Sequence, residues 1–163
     1  KEKLSFSPEI MSLGGKAREV VMATTKSFAI NPIVNGKQIG YNMIIKNQPL
    51  NNGFLEVSKV FGTYYENQES VNIAIYENDS MEEYFELEEN LKLGDVNLEL
   101  PKSLPKKSPI EITLKLTKEG ILEVKGLDKT SNKEVKVEMN TKGIMSKDEL
   151  EKIKLKVQGI TLI

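Results

Sequence analysis

The chain has 163 residues with 23 basic and 24 acidic side chains, a formal net charge of -1, no cysteine and no histidine. That length predicts one domain able to bury a core without disulfides, and the missing residue types exclude thiolate chemistry, the commonest general base and the commonest transition-metal ligand. Interleaved lysine and glutamate argue against a nucleic-acid-binding stripe, no apolar run is long enough to span a bilayer, and no signal peptide is visible.

In chain order, residues 1–19 begin at Lys1 and carry an acidic-then-glycine pattern; they are expected to be the end of an upstream segment of a longer protein. Residues 20–26 hold the apolar run Val20, Val21, Met22, Ala23, which suits a linker or a docked edge strand. From residue 27 onward short apolar runs are separated by reversal signals, Asn31-Pro32, Asn35-Gly36, Asn52-Gly53 and Ser131-Asn132 among them. Val60 to Gly62 and Val71, Ile73, Ile75 read as two strands joined by a polar turn through Glu66, Asn67, Gln68 and Glu69. Pro101, Pro105 and Pro109 keep residues 100–109 out of a ladder interior, so a loop is expected there.

Further along, Ile110, Ile112, Leu114 and Leu116 alternate with Glu111, Thr113 and Lys115, and Val135, Val137 and Met139 alternate with Lys136 and Glu138, the period of half-buried strands. Only residues 146–157 read as a helix: Ser146 and Glu149 stand at the capping-box spacing, and Leu150, Ile153 and Val157 share a helical face. Gly159 with the β-branched Ile160, Thr161 and Ile163 favours an extended tail. The expected fold is therefore all-β, a two-layer antiparallel β-sandwich over residues 27–142, with a short C-terminal α-helix and tail over 143–163.

The run Val60-Phe61-Gly62-Thr63, then Asn67-Gln68, then alternating aliphatics ending at Tyr76 resembles the peptide-binding domain of the heat shock protein 70 (DnaK) chaperone family. Further matches follow in the family's order: Lys46-Asn47, Leu91 to Gly94 leading into Val96 and Leu98, Ile110 to Leu114 before Gly120 to Val124, Asp128-Lys129-Thr130 with Lys133-Glu134, and Met145 to Glu151 like the start of a lid helix. The resemblance covers residues 20–156.

The resemblance implies a peptide pocket built from Phe61, Val71, Ile73 and Ile110, with Gly62 offering backbone and Tyr64 closing one half of an arch. Periodicity alone would assign the same four apolar residues to the core. The facing loop departs from the family pattern, so Pro32 or Ile33 is expected as the other wall and Asn35 as the second arch residue. For coupling to an ATPase domain the resemblance points to Val20, Val21, Met22, Lys46, Asn47 and Glu119, although the linker's usual acid is replaced by Thr24.

With no recognisable nucleophile and base, the chain is expected to bind rather than catalyse. The resemblance implies a cytoplasmic stress-response chaperone whose partners are unfolded or extended polypeptides, its own ATPase domain and co-chaperones, with no nucleic acid and no membrane. It implies no cofactor in this chain, ATP and magnesium belonging to the full-length protein. It also implies ligands with a hydrophobic core and basic flanks, which the tail after Lys152, Lys154 and Lys156 imitates; the tail is expected either in the groove of a neighbouring copy or ordered by sheet pairing or crystal packing. The rival readings are a carbohydrate-binding sandwich with Tyr41, Tyr64, Tyr65 or Tyr76 as a coplanar stacking platform, and a structural module using only a sheet edge.

Overall fold

Alternation decides the layers. In the computed structural model, which describes residues 22–141 and the backbone of 144–146, Ile110, Ile112, Leu114 and Leu116 of β10 (Pro109–Thr117) all turn into the core. This strand lies inside a four-stranded sheet of order β12-β11-β10-β6, with β6 (Phe54–Gly62), β11 (Ile121–Asp128) and β12 (Lys133–Asn140). The second sheet has five strands in the order β8-β5-β2-β7-β9. They are β2 (Ser27–Ile30), β5 (Gly40–Ile44), β7 (Ser70–Asn78), β8 (Tyr84–Phe85) and β9 (Lys92–Glu99). Every ladder is antiparallel, and the two sheets are not closed into a barrel.

The main core lies between the sheets. Phe28, Ile30, Ile44, Ile73, Ile75 and Leu98 from the second sheet meet Ile110, Leu114, Leu116, Leu122 and Val124 from the first. The second sheet also buries its outer face: Ala29, Ala74 and Tyr76 pack under Phe85, Leu87 and Leu91. Consequently β7 is buried at four successive positions, Ile73 to Tyr76, where a one-sided strand would alternate.

Two small ribbons complete the architecture. β3 (Ile33–Val34) and β4 (Lys37–Gln38) form a hairpin closed by Asn35 and Gly36, whose φ values of 52° and 79° are those of a two-residue primed turn. β1 (Met22–Thr24) pairs with β13 (Ile144–Ser146). Thr24 is fully buried; its Oγ1 donates to the Ile45 carbonyl and accepts from the Gln48 amide, so the loop after β5 is wrapped around β1.

This ribbon bears on two expectations. Met22 to Thr24, within the run read as a linker or a docked edge strand, is a strand. Ser146, expected to cap a helix over 146–157, ends β13 instead, because an extended backbone there pairs with β1. Residues 147–157, where the rest of that helix was expected, lie outside the described residues, as do the tail and its expected place in a groove. Among the described residues there is no α-helix, only a single 3-10 turn at Glu89–Leu91.

Leu114 is completely buried at the centre of the core. Leu114→Ala should destabilise the domain by about 2–5 kcal/mol, whereas Val60→Ala, on the exposed face of β6, should change stability by no more than about 0.5 kcal/mol. Urea denaturation of both variants checks the contrast.

Candidate functional site

At one end of the sandwich the sheets part around a groove of about 620 Å3, within the range of small-ligand clefts. Its floor is apolar: Ile30 from the end of β2, Phe61 from the end of β6, Val71 from the start of β7, and Ile110 and Ile112 from β10. Pro32 and Ile33 form one wall, and Thr63, Tyr64, Gln68 and Lys107 form the other.

The second wall is built by hydrogen bonds that continue the β6–β10 ladder past its last rung at Gly62 and Pro109. The Thr63 amide donates to the Ser108 carbonyl and the Lys107 amide to the Thr63 carbonyl, each at 3.0 Å. Thr63 Oγ1 donates to the Pro105 carbonyl and accepts from the Ser108 amide. Lys107 is thereby held in the left-handed region at φ 68°, and its Cα would lie 3.1 Å from a Cβ placed on Gly62. A side chain at 62 would push this wall outward.

The Asn67-Gln68 pair has a local purpose. Asn67 takes a φ of 57°, and its amide donates to the Leu104 carbonyl. Gln68 Oε1 then accepts from the amides of Tyr64 and Tyr65 at 2.9 and 3.0 Å, while Nε2 donates to the Ser70 carbonyl. One side chain closes the loop that presents Tyr64, 41 % exposed, at the rim.

Of the residues expected in a pocket, Phe61, Gly62, Tyr64, Val71, Ile110 and Ile33 line this groove, and Pro32 does so as well. Ile73 does not: it is buried beneath, with its Cδ1 against Gly126. Asn35 lies in the β3–β4 turn and does not line the groove either. Ile30, Asn31, Gln38, Thr63, Gln68, Asn72, Lys107 and Ile112 line it without having been singled out. Gln68 stood in the quoted motif; Lys107 carried no signal, because a left-handed lysine is fixed by hydrogen bonds made at a distance.

Two asparagines at the groove make polar contacts. Asn31 Oδ1 accepts from the Ala74 amide. Asn72 Nδ2 donates to Asp95 Oδ2 and Asn97 Oδ1, both at 2.9 Å. This amide first, and then the Lys92 ammonium, hold the Asp95 carboxyl below the usual aspartate range. Behind Phe61, the Tyr41 ring meets it edge-on at 6.1 Å. Lys59 Nζ donates to the Tyr41 hydroxyl at 3.0 Å, which raises the lysine above its ordinary value.

The residues expected to couple to another domain gather at the opposite end. Met22 is in β1; the Lys46 amide donates to Ser27 Oγ; the Asn47 amide donates to the Thr24 carbonyl. Glu119 lies in the β10–β11 turn, where the neighbouring Lys118 amide donates to the Gly53 carbonyl. Val20 and Val21 lie outside the described residues. Among the described residues no cluster of acids is placed to hold a metal ion, and no helix is long and apolar enough to cross a membrane.

Fold and groove together define an antiparallel β-sandwich with an apolar cleft at the strand ends. A family model described as Hsp70 protein matches residues 13–161. The chain belongs to the Hsp70 family of chaperones, and its β-rich architecture is compatible with the family's substrate-binding domain. No curated protein matches the chain.

Thr63→Val removes both side-chain hydrogen bonds of the wall at nearly constant volume. It should cost about 1–3 kcal/mol of stability and accelerate hydrogen exchange at the Ser108 amide, measured against the unchanged Leu114 amide. Asp95 should titrate below its ordinary value, and the stability it contributes should fade as pH falls through that lowered value. Asn72→Ala should move the midpoint upward, as followed by carboxyl NMR.

Proposed function

We propose that the groove holds a short extended segment of an unfolded polypeptide, with one aliphatic side chain seated on Phe61, Val71 and Ile110. The observation that carries this reading is an apolar floor of ligand size placed at the ends of strands and walled by loops whose own backbone is already tied down. Seating a leucine-sized side chain contributes roughly 1.5–3 kcal/mol, and each backbone hydrogen bond about 0.5–1.5 kcal/mol. After ordering costs, an affinity near micromolar, about -8 kcal/mol, is the ceiling. Such a site suits brief holding of many sequences.

In the full-length protein, control by an ATPase domain would act from the opposite end, where Met22, Lys46, Asn47 and Glu119 lie. Co-chaperones and ATP belong to that larger assembly in this reading. A carbohydrate platform is less well supported. Tyr64 and Tyr65 meet at 85° and Tyr41 and Tyr84 at 44°, so neither pair is coplanar, and Tyr76 is buried.

Val71→Phe fills the groove and should weaken binding of a labelled apolar peptide at least about tenfold, a loss of roughly 1.4 kcal/mol. Val137→Ala, in the sandwich core away from the groove, should leave affinity unchanged. Fluorescence anisotropy, with thermal melts of both variants as the folding check, makes the comparison; equal losses at matched stability would refute the pocket.

A further inference from the structure

Lys107 is the one charged residue among those lining the groove; every other polar lining residue, Asn31, Gln38, Thr63, Tyr64, Gln68 and Asn72, is neutral. It belongs to the segment between β9 and β10, which also carries exposed Lys102 and Lys106 and no acid. Glu66 and Glu69 lie on the neighbouring loop, yet neither lines the groove, and among the described residues no carboxylate pairs with Lys102, Lys106 or Lys107. The backbone of Lys107 is clamped by Thr63 at φ 68° and abuts Gly62 at the groove wall, which fixes where its exposed side chain starts.

We infer that Lys107 is a specificity-determining residue that selects extended apolar segments bearing an aspartate or glutamate side chain within about two residues of the seated one. This rests on the peptide-holding reading and gives its ligand a charge opposite to the basic flanks implied by the resemblance. The physical ground is charge complementarity at a rim: a basic flank would meet a solvated ammonium that no described carboxylate pairs with, while an acidic flank would neutralise it. Because the lysine is solvated, the preference is modest. An exposed pair of this kind alters affinity by roughly two- to fivefold at low salt and is screened as ionic strength rises.

The test uses three acetylated, amidated peptides with one leucine-rich core and glutamate, glutamine or lysine flanks, so that no terminal carboxylate contributes. Binding is read by anisotropy on the wild type, Lys107→Asn and Lys107→Asp. Asparagine and aspartate both tolerate a left-handed backbone, so the wall keeps its shape. The expected order in the wild type is glutamate over glutamine over lysine, about two- to fivefold from first to last, collapsing in 1 M salt. Lys107→Asn should erase the order, and Lys107→Asp should reverse it. A flat order, a lysine preference in the wild type, or an order unchanged by both variants overturns the inference while leaving peptide holding intact. Failure of all three peptides to bind overturns the peptide-holding reading and this inference with it. Should either variant unfold, the salt dependence of the wild-type order decides alone: an order that persists in 1 M salt overturns the role of charge.

Discussion

The pairing of β6 with β10 is the constraint on which the rest depends. Its rungs run from Phe54 and Thr117 at one end to Gly62 and Pro109 at the other, and the floor residues Phe61 and Ile110 face each other across it. Thr63 then carries the ladder into the loops, so the groove wall inherits the rigidity of the sheet. Without that continuation the segment between β9 and β10, interrupted by prolines, would keep its backbone bonds at Leu100 and Leu104 but lose those that set Lys107 and Ser108 beside the floor.

Much of this architecture was legible in the residues. Alternation along β10 to β12, the Asn-Gly reversals and the prolines before β10 gave an antiparallel sandwich, which the structure has. Ile73 was harder: it shares a face with Val71, and only the three-dimensional packing against Gly126 separates a floor residue from one beneath it. β7 also hid its pattern, because a second small core on its outer face makes Ala74 and Tyr76 as buried as Ile73 and Ile75. Lys107 carried no signal, and Thr63 stood in the quoted run without its role being visible, because both roles arise from bonds between segments more than forty residues apart in sequence. The capping-box spacing at Ser146 is a local signal, and pairing with β1 overrides it.

Placing a lysine on the inward face of an edge strand has its own logic. Lys59 shares the core-facing parity of Leu55, Val57 and Phe61, yet its ammonium reaches the Tyr41 hydroxyl at the open side of the sandwich. A charge there discourages another strand from adding to the free edge of β6, while the Tyr41 ring beneath the ammonium meets Phe61 edge-on. The groove at the strand ends and resistance to pairing along the edge are thus kept apart on one strand.

The ribbon of β1 and β13 brings the chain's way in and way out side by side, with Met22 opposite Ser146 and Thr24 opposite Ile144. Tension applied across the two outer ends would therefore load this ribbon as a zipper, one rung at a time from Met22 inward, rather than shearing all its hydrogen bonds together. Peeling needs little force per step and stops where Thr24 is locked by Ile45 and Gln48. The domain thus has a soft mechanical fuse in front of a hard stop, and a pull from flanking segments would be spent there before it reached the sheets.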